Sequence, residues 1–480
     1  MGGDSFFLRL WRSISIEPVL FVNVFGISIV MGAQISTNLL IWKICHLELN
    51  YPEEICGNLT DDAYKDVEEI VQADVNNFQM KSQWISSVPI IFFSIIAGAL
   101  SDEFGRKPLL IFPIFGNLVS KIAGLLNFAF IRDLPLEFFY VENIGAFFGG
   151  YAVYYLGVYS FVTNITKPKD RAHRLARLDG MEILGSVAGT LLSPLILEKL
   201  GYYGNYGISS IMIGISLVYL VLFVKEPIKR QSANGEKNKP AKSLLYNAIV
   251  TPLQGMKLLI TKKRKNLLKV LILLQFICFF IYWLIIEINI LKYLYMLLVF
   301  EGFDEKGYAY YSVFHDVCCA FYLMMFMPFL NAKLRIHDAL MLAFIIFSEV
   351  VCYAVSPFAT ELWQFYIATG VGSIGYCKYA VVRSLLSKCV SMHEIGKVFS
   401  ILAVIAALAP VAGNPIFRQL YNATIDTFPG AIFTLGSALL LLATFINVFI
   451  YTQRDKLVDE EDKEKEEIKT VNGAMEVTTF

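Results

Sequence analysis

Charged side chains are scarce in this sequence. Only 17% of the residues are charged while 56% are hydrophobic, and the mean hydropathy of +0.56 lies well outside the balance of soluble globular proteins. The formal net charge is +0, so charge gives no sign of a nucleic-acid or acidic partner. We therefore expect a membrane protein in contact with lipid, with no nucleic-acid partner.

Motifs typical of enzymes and pumps are also missing. The sequence contains no catalytic-triad pattern, no nucleotide-binding loop and no His/Cys cluster with metal-ligand spacing. A cleavable signal is absent too, because Arg9 and Arg12 precede an apolar segment that is too long and has no small-x-small cleavage site. We expect no enzymatic activity, no metal site and no cofactor, and we expect the first helix to anchor the chain.

Long apolar segments are what the chain has in abundance. A bilayer-spanning helix needs about 20 mostly apolar residues. Twelve such spans are predicted, at 18–42, 83–100, 109–130, 138–162, 175–197, 206–224, 267–291, 308–330, 339–356, 362–386, 398–420 and 428–451. The predicted fold is an all-α polytopic membrane protein of twelve transmembrane helices in two six-helix halves.

Polar segments divide this chain into parts. A polar linker, 225–266, separates the first half, 18–224, from the second, 267–451. A short N-terminal segment, 1–17, precedes them, and a mixed-charge tail, 452–480, follows and is predicted to be disordered.

Lys and Arg concentrate on alternate connections between the spans. The run Lys262–Lys265 lies on one side of the membrane, while Arg132, Lys199 and Lys306 stand almost alone on the other. The positive-inside rule then places both termini in the cytosol. The two Asn-x-Thr sequons that fall on the outer face, at Asn58 and Asn422, are predicted glycosylation sites.

The eight cysteines fall into two groups. Cys45 and Cys56 share the predicted outer loop between the first two spans, where an oxidising environment favours a disulfide between them. The others have no metal-ligand spacing and are predicted to be structural thiols: Cys278, Cys318, Cys319, Cys352, Cys377 and Cys389.

A charged turn joins the second and third spans. In the segment 98–109, Asp102 and Arg106 flank Gly105, and glycine supplies the left-handed backbone that a tight turn needs. Asp102 can favour the positive N-terminus of a neighbouring helix, and Arg106 suits the cytosolic headgroup layer. An ordinary basic loop is the alternative. Between two apolar segments of membrane length, however, the turn resembles the loop between helices 2 and 3 of a major facilitator transporter, and the resemblance implies that these three residues act in gating.

Three further segments indicate a more specific family resemblance. They are Arg177-Leu-Asp-Gly-Met-Glu-Ile-Leu-Gly-Ser-Val-Ala-Gly189, Val382-Arg-Ser-Leu-Leu-Ser-Lys388 and Leu420-Tyr-Asn-Ala-Thr424. The chain resembles solute carrier family 46, the family of the proton-coupled folate transporter and its lysosomal relatives. The resemblance implies proton-coupled transport of an organic anion by alternating access of two related halves.

Two departures from the folate transporter limit what can be transferred. Its fourth helix carries an acid where this chain reads Gly149-Gly-Tyr-Ala152. Its loop between helices 7 and 8 carries a cysteine that pairs with the first loop, whereas 300–307 has none here, which also favours pairing Cys45 with Cys56. Both differences argue against assuming that the substrate is folate.

Glu182 is the first candidate for proton coupling. It lies in the predicted fifth span, where a charge in the hydrocarbon is costly and is therefore retained for a reason. The resemblance implies that the matching glutamate takes part in proton-coupled transport. The alternative is a structural hydrogen bond to a neighbouring helix.

Two cations in the tenth span are candidates for substrate binding. Arg383 carries a planar fork that suits a carboxylate, and the resemblance implies a role for it in substrate binding and coupling. Its alternative is a residue that snorkels to the cytosolic interface. Lys378 lies deeper in the span, where snorkelling is harder.

His315, followed by Asp316, is the second candidate for proton coupling. Histidine titrates in the range of an acidified compartment, although a headgroup-level histidine with no role is the alternative. Other intramembrane charges have no predicted partner: Lys121, Glu287, Lys292 and Glu349.

These patterns predict a symporter that uses the proton as its coupling ion and carries a small organic anion such as folate or a peptide-like or nucleotide-like solute. The predicted location is the plasma or the lysosomal membrane. Two alternatives stay open: a receptor or scaffold of transporter fold that does not transport, and a pH-independent facilitator of neutral solutes.

Overall fold

The computed structural model describes residues 16–32, 34–59, 61–165, 171–226, 266–327, 337–389 and 395–453. All regular structure in these ranges is helical, and none of them contains a strand. The predicted N-terminal segment, the linker and the tail lie almost wholly outside the described residues.

Six labelled helices make up the described part of the first half. The turn Glu53–Cys56 and the 3-10 turn Asp62–Tyr64 lie in the first loop, and a 3-10 segment, Leu136–Phe148, precedes the fifth helix. The helices are α1 (Glu17–Met31), α2 (Ile35–Lys43, continued by a π turn at Ile44–Glu48), α3 (Lys65–Phe104), α4 (Pro108–Ala129), α5 (Gly150–Ile165) and α6 (Arg171–Phe223, kinked at Gly201).

The described part of the second half contains eight helices. A 3-10 turn, Ser356–Phe358, follows α10, and a second, Ser373–Cys377, separates α11 from α12. The helices are α7 (Asn266–Leu284), α8 (Glu287–Val299), α9 (Glu305–Phe321, continued by a π turn at Tyr322–Phe326), α10 (Asp338–Val355), α11 (Leu362–Gly372), α12 (Lys378–Lys388), α13 (Ile395–Thr424) and α14 (Ala431–Thr452).

Several predicted spans are not continuous helices. The first breaks between α1 and α2, where Gln34 has a φ of 50°, and the seventh breaks between α7 and α8. The fourth begins as a 3-10 segment with positive φ at Gly149 and Gly150, and the tenth contains the turn Ser373–Cys377. The breaks fall in pairs six spans apart, as two structurally related halves would produce, and discontinuous helices often line a transport site.

Seven stretches of the described chain are long and apolar enough to cross a bilayer: Glu17–Glu48, Pro108–Ala129, Leu178–Phe223, Leu268–Val299, Glu305–Phe326, Asp338–Phe358 and Ala431–Thr452. The prediction of an all-α polytopic membrane protein is confirmed. The full count of twelve spans stays a prediction.

Within each half, neighbouring helices pack along their length. In the first half α6 packs against α1, and Gly185 and Gly189 permit the approach, because a Cβ would lie 2.7 Å from the Phe21 carbonyl oxygen and 2.5 Å from that of Phe25, respectively. Small residues spaced by four allow two backbones to meet closely in a membrane. The glycines of the family-like segment are thus explained by packing.

Among the described residues, the two most extensive contacts between the halves are those of α6 with α9 and of α3 with α13. In predicted spans these pairs are 5 with 8 and 2 with 11, which exchange under a six-span repeat. Polar side chains are buried at the second of these interfaces and partly buried at the first. We call the end of the bundle that holds Cys45 and Cys56 the disulfide end, and the opposite end the Gly105 end.

The predicted disulfide between Cys45 and Cys56 is present, with a Cα–Cα distance of 5.8 Å. Replacing both cysteines with alanine should lower the free energy of unfolding by about 2–4 kcal/mol, because the open loop gains entropy in the unfolded chain. The thermal unfolding midpoint in detergent, with and without reductant, measures this. Cys318→Ala, which removes a free thiol, is the control, and equal midpoints for both variants would contradict the prediction.

Candidate functional site

The face of α6 that meets the second half is acidic. Asp179, Glu182 and Ser186 follow one another at helical spacing and so share this face. The hydroxyl of Tyr159 donates to Asp179 at 2.9 Å, and that of Tyr155 donates to Glu182. Both tyrosines come from α5, so two helices of the first half position the two carboxylates.

A third carboxylate reaches the same place from α9. Ser186 donates a hydrogen bond of 2.9 Å to Asp316, which joins α6 to α9 across the two halves. The Nδ1 atom of His315 lies 3.4 Å from Asp316, and the Sγ atom of Cys319 lies 3.6 Å from the Nε2 atom of the same histidine. We call Asp179, Glu182 and Asp316 the acid cluster, and it spans the two halves.

Arg383 lies beside the acid cluster. It projects from α12 as an exposed side chain, and its positive charge acts on Asp179 and Tyr159 of the first half and on Tyr379 of its own helix. The structure therefore places the candidate anion-binding arginine within electrostatic range of Asp179, which shares a face of α6 with Glu182.

Lys378 has a different environment. Its Nζ atom lies 2.6 Å from Glu349 of α10 in a buried ion pair, and it lies over the rings of Tyr282 and Tyr379. The attraction between the two charges offsets part of the free-energy cost of removing them from water. The prediction that Lys378 binds substrate is untested, but an anion would have to compete with Glu349 for it.

Glu182, His315 and Arg383 were predicted as functional residues from the sequence, whereas no role was predicted for Asp179, Asp316 or the two tyrosines of α5. The signal was present, because Asp179 and Glu182 are three residues apart in a membrane span. Which helix faces them, however, follows only from the packing of α6 on α5 and α9.

The turn at the Gly105 end is held by Glu226, for which the sequence predicted only a place in the linker. Glu226 accepts hydrogen bonds from the backbone amides of Arg106 and Lys107, at 2.9 Å and 2.8 Å. It thereby places a carboxylate just before the N-terminus of α4, a role that was predicted for Asp102. The backbone of Asp102 lies in α3, and its side chain lies outside the described part.

Gly105 is required at this turn for two reasons. Its φ of 94° and ψ of 178° lie in a region open essentially to glycine alone, and a Cβ would lie 2.6 Å from the Cδ atom of Glu226. The prediction that Gly105, Arg106 and Asp102 act in gating remains a prediction, but the tight turn itself is present.

Gly105→Ala should therefore lower the free energy of unfolding by about 1–3 kcal/mol from backbone strain alone. Thermal unfolding in detergent measures the loss. Gly207→Ala is the matched control, because nothing lies within 4 Å of a Cβ at that helical glycine. If both alanine variants unfolded at the wild-type temperature, the turn would not be strained as described.

The two predicted glycosylation sites differ in their surroundings. Asn58 is exposed, and its amide donates to the Glu54 carbonyl oxygen at 3.0 Å. Asn422 lies in the last turns of α13, where its amide donates to Asn77 of α3 at 2.9 Å and accepts from Asn76 at 2.5 Å. Glycosylation at both stays a prediction, and a glycan on Asn422 would compete with these bonds.

A cavity of about 600 Å³ opens at the disulfide end. Its lining is acidic, with one lysine, Lys65, among the carboxylates Asp61, Glu68, Glu301, Asp304 and Glu361. Glu68 lies before the predicted second span. Burial raises the pKa of Glu68 to about 7, while a hydrogen bond from Gln72 and the charge of Lys65 oppose that rise.

This carboxyl group should make stability depend on pH. Its folded pKa is raised from 4.5 to about 7, so the folded state holds a proton that the unfolded state releases, and stability should fall as pH rises from about 4.5 through about 7. Thermal unfolding across that range should show a fall that Glu68→Gln removes. Glu301→Gln, at an exposed carboxylate of the same cavity, should leave the slope unchanged. Equal slopes in wild type and Glu68→Gln would contradict the assignment.

Comparison with known proteins agrees with this architecture. A family model described as Major Facilitator Superfamily matches residues 79–347. A crystal structure of a peptide transporter, POT, in complex with sulfate superimposes with a TM-score of 0.64 at 14% sequence identity, covering 95% of this chain and 97% of that one, and so shows the fold alone.

Two relatives are similar over most of the sequence. The lysosomal proton-coupled steroid conjugate and bile acid symporter SLC46A3 of Mus musculus is 26% identical over 441 residues, which cover 89% of this chain and 92% of the relative. The proton-coupled folate transporter of Rattus norvegicus is 24% identical over 446 residues, 90% of each chain. The chain belongs to the major facilitator superfamily, and the relatives that it matches along most of its length are members of solute carrier family 46.

Proposed function

We propose that this protein is a proton-coupled symporter that carries a small organic anion across a membrane by alternating access. The family and the relatives support a membrane transporter. The observation that carries the finer proposal is the acid cluster, in which carboxylates of both halves lie together beside Arg383.

Electrostatics gives the cluster a reason to bind a proton. Asp179 and Asp316 each act on Glu182 as a like charge, and repulsion between like charges is strong where water is scarce. A proton taken up by the cluster relieves that repulsion. Because Asp316 belongs to the second half and the other two carboxylates to the first, the protonation state bears directly on how the halves fit together.

Arg383 couples this proton to the substrate. While Asp179 is ionised, its charge attracts the guanidinium of Arg383. Once the acid cluster takes up a proton, its total negative charge falls, and more of that positive field is available to an incoming carboxylate or sulfate, which a guanidinium binds through two parallel hydrogen bonds. Proton binding thus precedes and strengthens anion binding in this scheme.

His315 and Lys378 have supporting roles in the proposal. His315 contacts Asp316 at 3.4 Å and so lies at the edge of the acid cluster. Lys378 is paired with Glu349, so its charge is less available to an anion than that of Arg383. Arg383 therefore makes the first contact with the substrate.

The names of the relatives suggest the class of substrate. Steroid conjugates, bile acids and folate are named for them, and these compounds carry carboxylate or sulfate groups at neutral pH. We propose an anion of this chemical class as the substrate. We propose a lysosomal or plasma membrane as the location, with both termini in the cytosol.

An uptake assay at acidic and neutral pH tests the proposal. Cells or vesicles containing the protein receive labelled steroid sulfate, bile acid, folate and muropeptide, with a neutral sugar alongside them. Uptake of an anion that rises at acidic pH supports the symporter. Saturable binding without uptake would instead favour a receptor, and pH-independent uptake of the sugar would favour a facilitator of neutral solutes.

A further inference from the structure

The second interface between the halves, α3 with α13, contains a buried arginine. Arg418 lies on α13 and is 2% exposed. Its Nη1 atom donates hydrogen bonds to the side-chain oxygens of Asn76, at 2.7 Å, and of Gln79, at 3.0 Å, both on α3. A charged donor in one half is therefore satisfied by neutral acceptors in the other.

The contact is reciprocal. The Nδ2 atom of Asn76 donates to the backbone oxygen of Arg418 at 2.9 Å. One helical turn closer to the disulfide end, the hydroxyl of Tyr421 on α13 donates to Gln72 of α3 at 2.8 Å. Polar groups one turn apart on each helix thus form a ladder that closes this end of the bundle.

The counter-charge of Arg418 lies in its own half. The Nε atom of Arg418 is 3.8 Å from the Oε2 atom of Glu287, which is fully buried at the start of α8, where the predicted seventh span is interrupted. The amide of Asn414, also on α13, lies 3.5 Å from the same oxygen. Separation of the halves would cost Arg418 its amide acceptors but would leave its ion pair intact.

We propose that Arg418 is the gate residue of the disulfide end: it closes the end by donating to Asn76 and Gln79, and Glu287 keeps its charge paired when the end opens. The proposal rests on the alternating access proposed above. Arg418 acts as a positioning residue in this scheme and does not contact the substrate. The partners of Arg418 are divided between the halves: its amide acceptors lie in the first half and its counter-charge lies in the second. This division distinguishes a gate from a permanent contact, because a permanent contact would not need a counter-charge that moves together with the arginine.

The distance between α3 and α13 at this end is the direct readout. Spin labels attached at Asp74→Cys and Gln419→Cys, two exposed positions on these helices, report that distance by pulsed electron paramagnetic resonance. Cys318, the one free cysteine of the chain that is partly exposed, is changed to serine in all samples, and the others are buried. The measurement requires neither substrate nor transport.

The decisive variant is Asn76→Ala combined with Gln79→Ala. It removes both inter-half acceptors and leaves the ion pair of Arg418 and Glu287 in place, so the fold does not lose a buried partner charge. The ratio of the long-distance to the short-distance population should rise about tenfold, which corresponds to the loss of hydrogen bonds to a charged donor. Arg418→Gln should produce the same shift if it folds.

Asn447→Ala is the matched control. It removes a buried amide that bonds to Tyr282 and to the Ala443 carbonyl oxygen within the second half, and it should leave the distances unchanged. Wild-type distances in the Asn76→Ala/Gln79→Ala variant would overturn the gate. A shift in this variant together with a failure of anion uptake in wild type would keep the gate and reject the proposed symport, so the two proposals fail separately.

Discussion

Glu182→Gln should abolish acid-stimulated uptake of an anionic substrate while the protein still reaches the membrane in normal amounts. Glutamine keeps the shape of the side chain and can still accept the hydrogen bond from Tyr155, but it cannot take up a proton. Residual uptake should no longer depend on external pH. Surface expression and uptake across the acidic range, measured in the same cells, test this.

A companion variant separates the proton from the hydrogen bond. Tyr155→Phe removes the donor to Glu182 but leaves the carboxyl group able to titrate. It should keep pH-dependent uptake with a displaced profile. If Glu182→Gln showed the wild-type profile, or if both variants lost uptake in the same way, Glu182 would be a structural hydrogen-bonding residue.

Arg383→Ala should weaken the binding of an anionic substrate by about ten- to over a hundred-fold, and Arg383→Lys should weaken it less. The basis is a charge-assisted hydrogen bond of roughly 1.5–3 kcal/mol, of which lysine keeps the charge but not the planar fork. The apparent affinity of each variant is measured for the anion and for its neutral ester or amide. The anion should lose much more affinity than the neutral analogue.

Equal losses for the two ligands would mean that Arg383 shapes α12 rather than binding the anion. Lys378 would then become the better candidate, and Glu349→Gln, which releases Lys378 from its ion pair, would be expected to strengthen anion binding. If Arg383 binds the anion, the same change should mainly lower the free energy of unfolding, because it leaves Lys378 buried without its counter-charge.

Much of the fold could be predicted from the sequence because bilayer thickness limits it so strongly. Hydropathy predicted the membrane class, and the compartment of the first loop predicted the disulfide of Cys45 with Cys56. Hydropathy did not predict the breaks at Gln34 and at Ser373–Cys377. An apolar window averages over some twenty residues and does not detect a local change in backbone conformation.

The candidate site could be predicted only in part. A charged side chain inside a membrane span is energetically costly and is therefore a functional candidate, which is why Glu182 and Arg383 could be predicted. The residues that contact them are determined by the rotation of each helix and by which helices pack together, and neither can be predicted from a single sequence. The pairs that were missed join distant segments, as Ser186 joins Asp316 and as Asn76 joins Arg418.

Glu226 shows the same limit at a loop. The sequence places it beside a proline at the end of the sixth span, where it suggests a linker residue. Only the folded chain brings its carboxylate to the amides of Arg106 and Lys107. The motif around Gly105 is therefore completed by a residue more than a hundred positions away.

The most direct test of the central claim is whether the anion and the proton move together. Purified protein is reconstituted into vesicles with a trapped pH-sensitive dye and no initial pH difference, and an anionic substrate is added outside. Substrate entry should acidify the interior with the wild-type protein and should not do so with Glu182→Gln. Substrate entry through the wild-type protein without any proton movement would contradict the claim.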